Sequence, residues 1–284
     1  MKKGIALLIT MGFITVLTGI IAYMFSITGG IFDEAIKVDA KNQRTILLKD
    51  IKNILDSKVN DVKDSDDLST FLLGMPPFYD KKSDMSLHIE LQYLSNKVNI
   101  NSLLIKNKED KNIIEFLKNI SETYNILDIT FFIALLEDSI DEDDVSRQTL
   151  SEISRENIQF SNSRIVSMSH FKKIVDYYVE ITKDTNILSI PWEKLIYFGE
   201  LEKSVVDCDK MSKELINAFR LSIEDFSGCV DLENNESKEI AQKFNLAAFD
   251  KKSNLYMLVK VLYQVSSFQD DISFVYDMKT KTVK

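Results

Sequence analysis

The pattern of apolar positions is strongest at the start of the chain. Two lysines, Lys2 and Lys3, are followed by residues 4–32, a run of 29 residues without a charged side chain. About 20 apolar residues are enough to cross the roughly 30 Å hydrocarbon core of a bilayer. Because lysines beside a membrane span favour the cytoplasmic side, we expect the short N-terminal end in the cytoplasm and the rest of the chain across the membrane. The pattern predicts a single transmembrane helix over residues 5–28.

Helical periodicity continues after this segment. Apolar residues at helical spacing, with charged residues opposite them, extend past Gly29 and Gly30 to about Ser57. We therefore expect one long N-terminal helix, in which the two glycines are the place for a kink. Residues 59–83 are polar and contain a Pro-Pro pair, which indicates an irregular connection.

A period of two follows, which is typical of a half-buried strand. Polar residues alternate there with the apolar residues Leu87, Ile89, Leu91 and Tyr93. Two further strands are predicted over residues 255–263 and 272–276, whereas residues 106–247 show mainly helical spacing. The predicted fold class is therefore α+β, with a long N-terminal transmembrane helix and an antiparallel sheet that is interrupted by a large inserted α-helical domain.

Composition narrows the classes of function. The 284 residues carry a formal net charge of −9, which disfavours nucleic acid as a partner of the exposed part. The sequence contains no G-x-S-x-G, H-E-x-x-H, P-loop or G-x-G-x-x-G motif. Its two histidines, His88 and His170, are far apart in the sequence. We therefore expect a structural protein and not an enzyme.

The two cysteines allow two interpretations. Cys208 and Cys229 could form a disulfide that closes a loop of about 20 residues, which would contribute on the order of 3 kcal/mol in an oxidising compartment. They could equally remain two buried free thiols. The spacing is compatible with both alternatives.

One segment is rich in acidic residues, with six of them in the eight positions from Glu137 to Asp144. Calcium prefers several carboxylate oxygens, so a cation-binding loop is one interpretation. In the register of an EF-hand, Asp141 takes position one and Glu152 position twelve, but Ser146 stands where the turn requires glycine. The pattern therefore favours a solvated turn that caps a helix. The candidate cation ligands are Asp141, Asp143 and Asp144.

Two asparagines, Asn99 and Asn101, flank one isoleucine directly after the first predicted strand. Asparagine side chains bond to nearby backbone amides and thereby cap turns and helix starts. We expect such a structural role for both residues.

The first residues resemble the precursors of type IV pilins, in which a short basic leader that ends in glycine precedes an apolar helix. The resemblance implies that a prepilin peptidase cleaves between Gly4 and Ile5 and that the new N-terminus at Ile5 is methylated. The helix then stays attached to the mature protein, whereas an ordinary secretory signal is removed with its apolar segment. A cleavable signal peptide that ends near Gly30 is the alternative.

Three later segments resemble the minor pseudopilin K of type II secretion systems. They are the element Asn99–Leu103, the acidic turn from Leu136 to Asp144, and residues 163–174. This resemblance implies a pilin-like sheet domain into which the helical domain is inserted. The expected domains are a leader over residues 1–4, a transmembrane helix over 5–28, a pilin-like domain over 29–105 and 248–284, and an inserted α-helical domain over 106–247.

The resemblance also implies partners. They are the minor pseudopilins I and J of the same system, the prepilin peptidase and inner-membrane lipid. Nucleic acid is not expected as a partner. No cofactor is certain, but Ca²⁺ binding in the pilin-like part occurs in the family. Leu8, Ile9 and Phe13 would pack in the membrane during assembly. Most pilin-like subunits carry Glu where this chain has Ile9, and a buried carboxylate needs a partner in the preceding subunit. Its replacement by isoleucine suits a subunit at the filament tip.

We therefore expect a single-pass inner-membrane protein with a cytoplasmic N-terminus and a periplasmic head. It would initiate and cap the pseudopilus that serves protein export across the outer membrane. Two alternatives remain, a competence-type pseudopilus subunit for DNA uptake and a single-span periplasmic sensor or binding protein.

Overall fold

The computed structural model describes most of the chain beyond residue 43. The described ranges are 44–73, 75–80, 85–158, 160–200, 202–203, 205–221, 226–233, 235–249, 256–265 and 268–283. The predicted leader and transmembrane helix, residues 1–28, lie outside them. In the described part, no helix has both the length and the apolar character that a bilayer crossing requires.

The chain divides into two compact units, Met1–Ser57 and Lys58–Lys284. The described residues of the first unit are helical, and this helix, α1, covers residues 44–58. Ile51 and Leu55 in α1 are buried at a four-residue step, as the apolar pattern predicted. The predicted end of the long helix agrees with the structure to within about one residue. The other predicted domain boundaries stay predictions.

The second unit alternates short helices and strands along the chain. Its helices are α2 (Ser65–Leu72), α3 (Lys111–Tyr124), α4 (Ile129–Ile140), α5 (Ile153–Glu156), α6 (Met168–Thr182), α7 (Trp192–Leu195), α8 (Lys213–Ala218) and α9 (Asn235–Phe244). Its strands are β1 (Met75–Asp80), β2 (Met85–Tyr93), β3 (Val98–Asn99), β4 (Leu104–Ile105), β5 (Lys108–Glu109), β6 (Ile196–Tyr197), β7 (Val206–Asp207), β8 (Leu246–Ala247), β9 (Tyr256–Val265), β10 (Phe268–Asp277) and β11 (Thr282–Val283). Single 3₁₀ turns cover Val59–Asp61, Ile100–Leu103, Asn186–Ser189, Cys208–Lys210 and Cys229–Glu233.

A five-stranded antiparallel sheet combines strands from both ends of this unit, in the order β1-β2-β9-β10-β11. In the register of β2 with β9, Ile89 lies opposite Val261 and Glu90 lies opposite Lys260. The first pair is buried and the second is exposed. The predicted alternation in residues 87–93 is therefore confirmed, because successive side chains of a strand point to opposite faces of the sheet.

The edge strand β1 corrects the prediction of an irregular connection over residues 59–83. Met75 and residues 78–80 of this strand pair with β2, and the Pro-Pro pair lies between them at a shift of the register. Proline cannot donate a ladder hydrogen bond, so it is tolerated at a sheet edge or at an irregularity. Both conditions hold here, since β1 is the outermost strand and its register shifts between Met75 and Phe78.

The helices between β5 and β9 surround the largest apolar core of the unit. At its centre the ring of Phe132 is fully buried. Its centroid lies 6.2 Å from that of Phe171, 5.4 Å from that of Tyr178 and 5.7 Å from that of Trp192. Aromatic rings at such separations pack with their quadrupoles in favourable orientations and bury a large area.

Capping residues set the starts of the three longest helices of this unit. Asp110, Asp128 and Ser167 precede α3, α4 and α6, and each side chain accepts a hydrogen bond from a backbone N–H of the first helical turn. The ends of α3 and α6 are formed by Asn125 and Lys183, both in the left-handed conformation that commonly ends a helix.

Two short parallel strand pairs connect segments that are far apart in the sequence. β3, directly after the large sheet, pairs with β6, and β7 pairs with β8. Each pair contains two residues per strand, so backbone hydrogen bonds alone hold these contacts weakly. Side-chain hydrogen bonds must therefore contribute to the placement of the connected segments.

Replacement of Phe132 by alanine is expected to lower the free energy of unfolding by about 3–5 kcal/mol, because three aromatic neighbours would border the cavity. Urea unfolding, followed by the fluorescence of the single tryptophan, Trp192, measures the change. Phe78→Ala is the control, since this side chain is 52% exposed. It should change the stability by less than about 1 kcal/mol. Equal losses in both variants would contradict the assigned core.

Candidate functional site

The residues that the sequence assigns to processing and membrane assembly lie outside the described part of the chain. They are Gly4, Ile5, Leu8, Ile9 and Phe13. Their roles stay predictions, and the described residues provide the geometry of the head.

Asn101 connects three segments through its side chain, which is fully buried. Its Nδ2 donates to the carbonyl oxygen of Ile165 at 2.9 Å and to that of Gly199 at 2.7 Å. Its Oδ1 accepts from the backbone N–H of Ile165 at 3.0 Å. One amide side chain thus fastens the turn after β3 to the segment before α6 and to the segment after β6.

Asn99 makes a second set of such contacts and is also fully buried. Its Oδ1 accepts from the backbone N–H of Asn101 at 3.2 Å and from that of Gly199 at 2.9 Å. Its Nδ2 donates to the carbonyl oxygen of Glu200 at 2.7 Å. The predicted capping role is confirmed by the contact to Asn101, but the sequence did not reveal the longer connections. We call Asn99 and Asn101 the asparagine clamp.

Gly199 lies close enough to the asparagine clamp to exclude a side chain. A Cβ atom at this position would lie 2.9 Å from Nδ2 of Asn99 and 2.9 Å from a ring carbon of Tyr197. Real Cβ atoms do not approach other heavy atoms this closely, so the clamp requires glycine here. The sequence pattern around Gly199 contained no signal for this requirement.

Cys208 and Cys229 form a disulfide, with sulfur atoms 2.00 Å apart. Of the two alternatives that the sequence left open, the structure therefore contains the cross-link. Directly before Cys208, the buried Asp207 accepts a hydrogen bond from the hydroxyl of Tyr93 in β2 at 3.0 Å. Burial raises the pKa of Asp207, and the hydrogen bond from Tyr93 opposes this shift. These contacts join the cross-linked segment to the large sheet.

Asp207 and Asp209 also lie near the sulfur of Cys229. In the described ranges, these three residues form the one group of acidic, histidine or cysteine side chains whose possible metal-ligand atoms all lie within 4.8 Å of one another. The group does not fit a metal ion. The sulfur is bonded to that of Cys208, and Asp209 already accepts a hydrogen bond from the backbone N–H of Cys229 at 3.0 Å. The side-chain oxygen of Asp209 therefore stabilises the turn at Cys229 instead of a metal ion.

The acidic turn differs from the predicted solvated turn in its first half. Glu137, Asp138 and Asp141 are 5%, 0% and 5% exposed. Arg147 pairs with all three and offsets one of their negative charges: its guanidinium lies 2.5 Å from Oδ1 of Asp138 and 3.5 Å from Oε2 of Glu137, and it also bonds to Oδ2 of Asp141. Buried carboxylates need such a partner, which the sequence analysis did not assign.

The second half of the acidic turn is exposed, as predicted. Asp143 accepts a hydrogen bond from the backbone N–H of Val145 at 2.8 Å, and Asp144 accepts one from the hydroxyl of Ser154 at 3.2 Å. Among the candidate cation ligands, Asp141 is therefore paired with an arginine, whereas Asp143 and Asp144 serve in local hydrogen bonds.

Asn101→Ala is expected to lower the free energy of unfolding by about 2–4 kcal/mol, because it leaves the backbone groups of Ile165 and the carbonyl of Gly199 buried without partners. Asn217→Ala is the matched control, since Asn217 is exposed on α8 and alanine favours a helix. Urea unfolding of both variants measures the difference. A loss confined to the control, or no loss in either variant, would disprove the role of the clamp.

Glu137 should make the stability depend on pH. Burial raises its pKa to about 7, the negative charge of Glu109 adds to the shift, and Arg147 opposes it. The unfolded chain releases this proton at a pH of about 4.3, whereas the folded protein retains it up to a pH of about 7. The free energy of unfolding therefore decreases as the pH rises from about 4.3 to about 7. Glu137→Gln, which carries no charge at any pH, should flatten this decrease between pH 5 and 7, by on the order of 2 kcal/mol.

Chemical unfolding at several pH values measures this slope. Glu142→Gln removes a charge from the same turn at an exposed position and should retain the wild-type slope. An unchanged slope in Glu137→Gln would mean that another group carries the pH dependence.

Comparisons with known proteins agree with this architecture. No family model matches the sequence, and no curated protein matches it. The structure is similar to a chain in the crystal structure of the GspK–GspI–GspJ complex from the type 2 secretion system of enterotoxigenic Escherichia coli, with a TM-score of 0.55 and 12% sequence identity. The match covers 87% of this chain and 96% of that chain. This chain therefore shares its overall fold with a chain of that complex, as the resemblance implied.

Proposed function

We propose that this protein is a structural minor pseudopilin of a type II secretion system. The observation that carries the proposal is the structural match to a chain of the GspK–GspI–GspJ complex, which extends over nearly the whole length of both chains. A match of this extent includes the helices inserted between the strands, and such an insertion is not expected from a common sheet alone.

The N-terminal sequence supports the same function independently. A basic leader that ends in Gly4 and an apolar stretch from Ile5 to residue 28 would provide a processing site and a membrane anchor. The head would then lie in the periplasm. The disulfide between Cys208 and Cys229 supports this location, since such bonds persist in oxidising compartments.

The proposed work of the protein is assembly. With minor pseudopilins I and J as partners, it would stand at the tip of the pseudopilus, where filament growth begins. The replacement of the usual glutamate by Ile9 supports the tip position, because a tip subunit has no preceding neighbour to pair with such a carboxylate. The helical insertion would enlarge the head and so prevent the addition of a further subunit above it. We propose no catalytic role.

Affinity purification of the full chain from membranes tests the partnership. Two further short pilin-like proteins are expected to accompany it in equal amounts. Leu8→Asp should remove the protein from this assembly, because a carboxylate in the bilayer costs about 2.5–3.5 kcal/mol. Leu8→Ile is the matched control and should retain both partners. Normal secretion and normal co-purification with Leu8→Asp would overturn the proposal.

Mass spectrometry of the purified protein distinguishes the alternatives. A pseudopilin should lack residues 1–4 and carry a methylated Ile5, and both changes should disappear when the prepilin peptidase is deleted. A periplasmic sensor would retain Met1 in either strain.

A further inference from the structure

Two carboxylates lie beside the disulfide of this chain. A side-chain oxygen of Asp207, one of Asp209 and the sulfur of Cys229 all lie within 4.8 Å of one another. That sulfur is bonded to the sulfur of Cys208, and the sequence contains no other cysteine. Any reaction of the disulfide therefore takes place next to these two acidic side chains.

The position of Asp209 is fixed by several contacts. Its Oδ1 accepts a hydrogen bond from the backbone N–H of Cys229 at 3.0 Å, and its own backbone N–H donates to Oδ1 of Asp207 at 3.0 Å. Gly228 packs against the same carboxylate, because a Cβ atom at this position would lie 2.6 Å from Oδ1 of Asp209. Gly228 also has a φ of +142°, which L side chains rarely adopt. The fold thus holds the carboxylate of Asp209 against Cys229.

No direct ion pair neutralises the two carboxylates. In the described ranges, neither Asp207 nor Asp209 lies within ion-pair distance of a lysine or arginine. Burial raises the pKa of Asp207, and the charge of Asp209 adds to this shift, whereas Tyr93 and Lys210 oppose it. The ammonium group of Lys210 donates instead to the hydroxyl of Ser69 at 2.7 Å. Negative charge is therefore in excess beside the disulfide.

The two sulfur-bearing residues differ in accessibility. Cys208 is 1% exposed, whereas Cys229 is partly exposed. A thiolate reduces a disulfide by attacking one of its sulfurs, and here the accessible one belongs to Cys229. A bond then forms between the thiolate and Sγ of Cys229, the bond to Cys208 breaks, and Cys208 leaves as a thiolate that takes a proton from water. A second thiolate releases Cys229 in the same way, so two small thiolates give up two electrons and become one disulfide.

We propose that Asp207 and Asp209 form an electrostatic barrier that protects this disulfide from reduction by anionic thiols. Both carboxylates repel the approaching thiolate, and the leaving thiolate of Cys208 forms in a buried position beside them. Like charges repel most strongly where water is excluded, so the barrier acts on both partners of the reaction. The bond then keeps Cys229 packed against the large apolar core, to which Cys208 belongs.

Reduction of the full chain in detergent at a pH of about 8 tests the proposal with two monothiols. The thiolate of cysteamine also carries an ammonium group, whereas that of mercaptoacetate also carries a carboxylate. After alkylation, mass spectrometry measures the released thiols, which come from this bond alone. Each rate is divided by the rate of the same thiol with neutral hydroxyethyl disulfide, because thiols differ in nucleophilicity. We expect the corrected rate to be about tenfold higher for cysteamine at an ionic strength of about 0.01 M.

Variants separate the local charge from the net charge of the protein. Asp209→Asn retains an oxygen for the N–H of Cys229 but removes the charge, so the difference between the thiols should fall to about threefold. Asp207→Asn is a second variant and should give a similar decrease. Asp176→Asn removes an equal charge from the exposed surface of α6 and should retain the tenfold difference. Salt at about 1 M, where the Debye length is about 3 Å, should lower the wild-type difference below about threefold.

Three results would rule out the barrier. The first is equal corrected rates for the two thiols with the wild type. The second is a difference that persists unchanged in both Asp209→Asn and Asp207→Asn. The third is an equal decrease in Asp176→Asn, because the net charge of −9 would then account for the selectivity. The assay measures only the disulfide, so its outcome does not depend on the role in secretion.

Discussion

The structure depends on the rule that polar groups removed from water must find partners inside the protein. The asparagine clamp satisfies this rule at the junction of the sheet and the helical segments. Three backbone segments that are separated by up to about 100 residues meet there, and two amide side chains satisfy their N–H and carbonyl groups. The short strand pair β3–β6 is kept in place by the same contacts. These contacts therefore fix the segment before α6 and the segment after β6 to the turn that follows the sheet.

The same rule explains two other clusters. Tyr93 and Asp207 share a buried hydrogen bond that joins β2 to the disulfide-linked segment, and Arg147 pairs with the three buried carboxylates of the acidic turn. The Tyr93–Asp207 pair joins residues 114 positions apart, whereas Arg147 closes a local turn with its partners.

Local patterns predicted the elements that local physics controls. The alternation in β2 and the end of α1 followed from apolar spacing, since burial of one face requires a period of two in a strand and 3.6 in a helix. The edge strand β1 was missed because its prolines indicated a break, although an edge position tolerates them. The acidic turn was expected to be solvated because charge runs usually are, and the spacing in the sequence did not show that the side chain of Arg147 folds back onto the acids.

The order of apolar and polar residues was enough to predict the α+β class, the buried and exposed faces of the strands, and the helical character of residues 106–247. Spacing along the chain carries that information, because it decides which side chains share a face. The partners of Asn99, the need for glycine at position 199 and the pairing of Cys208 with Cys229 were settled by the tertiary structure. These contacts join residues about 20 to 100 positions apart, and their geometry exists only after the chain has folded.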